Sequence, residues 1–137
     1  MPYVNVKLVK EQISNESRQL LIDGIMEIIV KIMGRDKDLT VITVDELDAS
    51  NWYIGGRPIS ETGNMHGKLI SVEIKISKGT SNPEEMLEVI KAGKDLVNRV
   101  LGPGDITNYF VINELNPDSW GFDGISMTER NKLEQKK

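Results

Sequence analysis

The chain of 137 residues has no cysteine and one histidine, His66. The first absence excludes disulfide scaffolds, thiolate metal sites and cysteine nucleophiles. The second excludes a histidine cluster, so no metal site is expected. There is no excess of positive charge. Lys and Arg number 17 against 21 Asp and Glu, a net charge of −4. Divided after Lys68, each half carries −2, so neither offers a basic surface and no nucleic-acid partner is expected. No aliphatic run is long enough for a membrane span, and the start Met-Pro-Tyr-Val-Asn-Val-Lys lacks the basic start and apolar core of a signal peptide. No phosphate-binding glycine loop leads into a helix, so no nucleotide or flavin is expected, and no other cofactor has a motif. These absences describe a soluble, cytoplasmic, cofactor-free protein with no membrane partner. Any catalysis in it works without the commonest catalytic side chains.

What is present is a repeat. Shifted by 68 residues, 2–62 aligns on 70–130 without gaps, with 11 identities in 61 positions, Trp52/Trp120 and Gly56/Gly124 among them. The patterns repeat more faithfully than the letters. Val4, Val6 and Leu8 alternate with polar residues as in a half-buried strand, and Val72, Ile74 and Ile76 do the same. A helical stripe follows at Leu21, Ile25, Ile28, Ile29 and Ile32, with Val89, Gly93, Leu96, Val97 and Val100 at the same spacing in the copy. Ser14 or Asn15 caps the first helix, and Asn82-Pro83-Glu84 opens the second. Val41–Val44 and Tyr109–Ile112 read as buried strands.

Each half is thus strand–helix–strand, with parallel strands and a right-handed crossover. One such unit cannot cover its sheet or protect its edges. Two units predict an α+β fold: tandem β-α-β repeats giving a four-stranded sheet with two helices on one face. The units are 1–62 and 70–130, joined by a linker at 63–69 and followed by a charged, frayed tail at 131–137, all in one compact domain. The uncovered face of the sheet predicts an obligate oligomer; the alternative is a monomer whose second face is polar.

Two features exceed what a fold needs. Pro2 follows the initiator methionine, and removal of a methionine before proline would expose a secondary amine. An α-amino group titrates at about 7.7–8.0. Apolar burial or a neighbouring cation would lower that value and make the nitrogen a general base near neutral pH. Alternatively, Pro2 merely follows the initiator. The second feature is Asn51-Trp52-Tyr53-Ile54-Gly55-Gly56-Arg57-Pro58. Its glycines permit a tight turn, Trp52 and Tyr53 supply aromatic walls, and Arg57 offers an anion contact. Alternatively, it is a structural hairpin at the edge of an oligomer interface.

Pro2-Tyr3-Val4-Asn5-Val6-Lys7 together with Asn51-Trp52-Tyr53-Ile54-Gly55-Gly56 resembles the 4-oxalocrotonate tautomerase family. The resemblance covers 2–62 well and 70–130 more weakly. Two fused copies resemble the longer branch of the superfamily, which includes the cis-3-chloroacrylic acid dehalogenases. The resemblance implies the tautomerase fold, a homotrimer imitating a hexamer of single units, and an isomerase of small carboxylate substrates. Pro2 nitrogen would take a proton from an enol hydroxyl or a carbon beside a carbonyl and return it elsewhere in the conjugated system. Trp52 would be the aromatic wall beside Pro2. The family's loop arginine falls at Gln12, kept here as a substrate-binding candidate, and its second arginine falls at Val41; the copies are Thr80 and Tyr109. None is positive, so Arg35, Arg57, Lys10 or Lys78 would hold the substrate carboxylate, with Lys78 preferred. Ile70 replaces Pro2 in the second unit, and an internal amide is no base, so the trimer would have three competent sites and three silent ones.

The leading expectation is therefore keto–enol tautomerisation of a small 2-oxo or enol acid. One alternative keeps Pro2 but adds water to 3-substituted acrylates as a hydratase or dehalogenase, with Glu46 or Glu114 activating the water. The other is a non-catalytic oligomeric scaffold, which would follow if Met1 were retained.

Overall fold

The computed structural model describes residues 2–135. Met1, whose removal would free the Pro2 nitrogen, and the last two residues of the expected tail lie outside the described residues. Alternation sets the first strand, Tyr3–Val9 (β1): Val4, Val6 and Leu8 are buried, while Tyr3 and Lys7 point the other way and are exposed. Ser14 then caps Asn15–Lys31 (α1), its hydroxyl accepting from Ser17 N–H. Val41–Leu47 (β2) returns parallel to β1. A small hairpin follows, Tyr53–Ile54 (β3) against Arg57–Pro58 (β4), leading into the short helix Ile59–Thr62 (α2).

The second half repeats the sequence of events. Ile70–Ser77 (β5) precedes Pro83–Val100 (α3), whose cap Asn82 accepts from Glu85 N–H. Tyr109–Leu115 (β6) lies parallel to β5, and the hairpin Gly121–Phe122 (β7) with Ile125–Ser126 (β8) leads into Met127–Gln135 (α4). The expected end of the second unit at residue 130 falls inside α4, and residues 131–135 are helical where a frayed tail was expected.

The four long strands form one sheet in the order β2-β1-β5-β6. Within each half the strands are parallel; between halves β1 and β5 run antiparallel, with Tyr3 opposite Lys75 and Leu8 opposite Ile70. Helices α1 and α3 pack together on one face, over a single core that joins Val4, Val6, Ile25 and Ile29 to Val72, Ile74, Leu96 and Val97. Each buried aliphatic side chain contributes about 1.5–3 kcal/mol relative to exposure. Glycine permits two close contacts, one between α1 and α3 and one between α3 and β6. A Cβ on Gly24 would lie 2.2 Å from a terminal methyl of Leu96, the far end of a flexible side chain; one on Gly93 would lie 2.4 Å from the rigid ring of Phe110.

The second face of the sheet is polar at its centre. Asn5 Nδ2 donates to Thr43 Oγ1 at 2.9 Å and to Asp45 Oδ2 at 3.1 Å, Lys7 Nζ donates to Asn5 Oδ1 at 2.6 Å, and Lys75 Nζ donates to Glu73 Oε1 at 2.7 Å. Apolar surface remains at its margins, at Tyr3, Val41, Tyr109 and Val111.

The linker is stitched down. Lys68 N–H donates to Pro103 O and Asp105 N–H to Lys68 O, both at 2.9 Å. The Asp105 carboxylate accepts from Gly67 N–H at 2.9 Å and from the Thr107 N–H and hydroxyl, with His66 Nδ1 3.3 Å away. Burial opposes the charge of Asp105, but the bonds from Thr107 and Gly67, with His66 beside them, outweigh it and hold this carboxyl below its ordinary range.

Two outcomes follow. Gly93→Ala gains helix propensity worth about 1 kcal/mol but drives a methyl into Phe110. Urea denaturation should show a net loss of about 1–2 kcal/mol, against little change for Gly24→Ala. A depressed carboxyl contributes stability above its unfolded pKa, and that contribution fades as pH falls through the folded value. Asp105→Asn should therefore cost about 1–3 kcal/mol at pH 7, and the deficit should shrink below about pH 4.

Candidate active site

A β-α-β unit dictates where its hairpin goes. Because β2 runs parallel to β1, with Val9 opposite Leu47, whatever follows Leu47 emerges at the end of β1 remote from Pro2. The Trp52 hairpin therefore stands at the far end of the sheet, where Val9, Ile59 and Leu69 form a small apolar cluster with Trp52 and Ile54 packed on it. By the same rule the Trp120 hairpin stands beyond Ser77, the end of β5. Since β1 and β5 are antiparallel, that is the Pro2 end. Each hairpin thus serves the first residue of the other half.

The two hairpins are built alike. Ile59 N–H donates to Trp52 O and Met127 N–H to Trp120 O, both at 2.9 Å. Gly55 and Gly56 take φ of +60° and +80°; Asp123 and Gly124 take +56° and +81°. A two-residue turn with both φ values positive matches the twist of a hairpin, and aspartate tolerates the left-handed region better than most side chains.

At the near end Pro2 is buried. Tyr3 beside it pairs with Lys75, whose ammonium sits 5.3 Å from the centre of the Tyr3 ring. Trp120 Nε1 donates to Ser77 Oγ at 2.9 Å, which fixes the indole two residues further along β5. Arg130 lies over the Phe122 ring at 3.8 Å, donates Nη2 to Phe122 O at 2.9 Å, and keeps a buried Nε without a partner. Arg35 reaches across to donate Nη2 to Thr80 O at 2.9 Å and to Thr80 Oγ1 at 3.0 Å. A guanidinium is thereby brought against the residue that stands at the copy of the family's loop-arginine position. Lys78 is at this end too, exposed, its backbone N–H bonded to Leu115 O.

The expected site residues divide between the ends. Pro2 and Lys78 share the near end. Trp52, Tyr53, Arg57 and Gln12 belong to the far end of the same chain, so within one chain Trp52 does not stand beside Pro2; the tryptophan at the Pro2 end is Trp120. Gln12 Oε1 accepts from Leu69 N–H at 2.8 Å, a bond that ties the two halves together. Arg57 pairs with Glu61 at 3.4 Å and Lys10 with Asp48 at 3.4 Å. Glu46 is engaged by Arg18. Lys75 and Arg130 were not among the sequence candidates. The direction of the seam between β1 and β5 would have found Lys75, since it alone places residue 75 opposite Tyr3.

At the far end a cavity of about 440 Å³ is lined by Lys7, Asn51, Trp52, Tyr53, Ser71 and Tyr109, among others. The group that corresponds there to the Pro2 nitrogen is the Ile70 N–H, which donates to Asn108 Oδ1 at 3.1 Å. It is an amide with its hydrogen engaged, and it accepts no proton. Among the described residues no three Asp, Glu or His side chains are placed to hold a metal, and no helix is long and apolar enough to cross a membrane.

Comparison with known proteins agrees with this architecture. A family model described as tautomerase enzyme matches residues 2–62 and starts on Pro2. The probable tautomerase K2 of Dickeya dadantii is 34% identical over 61 residues, covering 44% of this chain and 91% of that protein. Two solved structures match nearly the whole chain. A fused 4-OT wild-type asymmetric trimer superposes with a TM-score of 0.80 at 18% identity, covering 93% of this chain and 98% of the other. Pt0534 inactivated by 2-oxo-3-pentynoate gives a TM-score of 0.80 at 15% identity, with 93% and 98% covered. A single-unit relative covered almost completely by the first half, and two-unit folds covered almost completely by the whole, lead to one conclusion: the chain belongs to the tautomerase family, in its fused two-unit form.

Proposed function

We propose that this protein is a cofactor-free tautomerase of small 2-oxo or enol acids, with the Pro2 nitrogen, freed by removal of Met1, as its general base. The observation that carries the reading is the burial of Pro2 at the start of β1, at the end of the sheet where Tyr3 stands opposite Lys75 and Trp120 is held on Ser77. A secondary amine shielded by apolar surface has its protonated form disfavoured. Deprotonated, it takes a proton from the enol hydroxyl of the substrate. As the carbonyl forms, the same nitrogen delivers a proton to a carbon of the conjugated system, and the amine is regenerated.

The substrate carboxylate needs a cation. Arg35, held on Thr80, offers a planar fork, while Lys75 and Lys78 offer point charges. Charge also builds on the substrate oxygen during proton transfer, and a fixed cation there lowers the barrier more than it tightens ground-state binding.

We further propose that three chains associate through the second face of the sheet. The exposed Tyr3, Val41, Tyr109 and Val111 at its margins support this, as does the trimeric state of the fused 4-OT fold relative. The polar network at the centre of the face would then meet its counterparts in neighbouring chains.

Ketonisation of phenylenolpyruvate or 2-hydroxymuconate tests the base. Pro2→Ala should lower kcat/KM by about 10²–10⁴-fold, and equal rates in the two proteins would overturn the reading. Intact mass should show a chain without Met1. Treatment with 2-oxo-3-pentynoate, which inactivates one fold relative, should add one equivalent per chain at Pro2. Arg35→Ala should raise KM about tenfold, as loss of one charge-assisted contact predicts. Sedimentation equilibrium should return the mass of three 15.4 kDa chains.

A further inference from the structure

The residue that anchors the Trp120 indole differs from its surroundings. Ser77 closes β5, and at 7% exposure it is the one buried polar side chain among the described residues. Its place in the repeat is that of Val9, which is 1% exposed and seats the Trp52 hairpin together with Ile59 and Leu69. An aliphatic residue therefore suffices to seat such a hairpin, and a hydroxyl buried there is costly unless it is hydrogen-bonded. The Ser77 hydroxyl is bonded: it accepts from Trp120 Nε1 at 2.9 Å. Among the described residues no such acceptor meets Trp52 Nε1, and that ring rests on packing. The indole is thus tethered only at the end of the sheet that carries Pro2.

The same residue also holds a candidate cation. Thr80 Oγ1 donates to the Ser77 carbonyl at 2.6 Å and accepts from Arg35 Nη2 at 3.0 Å. The hydroxyl of Ser77 therefore holds an aromatic ring, while its carbonyl, through Thr80, holds a guanidinium. We propose that Ser77 is a positioning residue for the Pro2 site, whose hydroxyl fixes the Trp120 ring before a flat unsaturated acid stacks on it. The role rests on the reading of Pro2 as the base and adds a residue that itself touches no substrate. Trp120 lines a cavity of about 310 Å³ with Phe122 and Ile125, so its orientation sets the shape of that wall. A ring held in advance loses little freedom on binding, whereas a freed ring must be ordered by the substrate. That cost falls on the ground state and the transition state alike, so it raises KM and leaves kcat unchanged.

Valine and threonine are both β-branched and differ by a methyl against a hydroxyl, so Ser77→Val and Ser77→Thr separate the hydrogen bond from the packing. Ser77→Val should raise KM for phenylenolpyruvate about three- to tenfold with kcat within about twofold, as the ordering of one freed side chain predicts. Ser77→Thr should keep KM within about twofold of the unaltered protein. The tether itself is read from the two indole N–H signals, one per tryptophan, in a proton–nitrogen correlation spectrum assigned with Trp52→Phe. In the unaltered protein the Trp120 N–H should exchange with solvent more slowly than the Trp52 N–H, and Ser77→Val should remove the difference. If Ser77→Val fails to fold, Ser77→Ala takes its place, and the two exchange rates in the unaltered protein still decide whether the tether exists. Equal exchange at the two indoles, equal KM in Ser77→Val and Ser77→Thr, or a loss of kcat at unchanged KM would overturn the proposal. Absence of Pro2-dependent turnover in the unaltered protein would overturn the reading of Pro2 as the base, and this role with it. Pro2-dependent turnover with a KM unmoved by Ser77→Val would overturn this role alone.

Discussion

Strands β1 and β5 meet antiparallel, and the hydrogen bonds of that seam decide what each end of the sheet contains. A parallel β-α-β unit by itself sends its hairpin away from its own first residue. Such a half carries a candidate base at one end and an aromatic hairpin at the other, with nothing opposite either. The seam brings two halves together head to tail, and each end acquires one half's first residue and the other half's hairpin, with a candidate base only at the Pro2 end. It also merges the apolar stripes of α1 and α3 over one core, so neither half keeps a buried face for itself. Tyr3 opposite Lys75 fixes the register of the seam one residue from Pro2.

Much of this was legible in the residues. The alternation of Val4, Val6 and Leu8, the caps Ser14 and Asn82, and the 68-residue repeat give the strands, helices and layer arrangement, because burial on one face is a local property that periodicity records. The placement of Trp52 beside Pro2 was not right for one chain. It followed from their joint occurrence in a motif, whereas the parallel direction of β2 already put them at opposite ends. Lys75, Arg130 and the reach of Arg35 to Thr80 were beyond a linear reading, since each depends on which loops the seam brings together. Gln12 illustrates the converse: a position suggestive of ligand contact is spent on the Leu69 N–H, a bond between the halves that no periodicity announces.

The second face of the sheet combines two kinds of surface. Ionic groups in its middle, Lys7, Asp45, Glu73 and Lys75, are costly to bury unless each meets a partner of the right sign. The apolar margin favours association with little demand on geometry. Together they suit an interface whose attraction comes from the rim and whose orientation is dictated by the centre. A lone chain tolerates the same face, because its charges are already paired among themselves.

In an assembly of identical single units, any mutation is installed at every pocket simultaneously, so a pocket that experiments with a new chemistry forfeits the old one everywhere. The duplicated turn shows that this chain is free of that restriction: Asp123 holds a left-handed position on one side where Gly55 holds it on the other. Covalent joining thus separates the fates of the two ends, so that a substitution at one leaves its twin as it was.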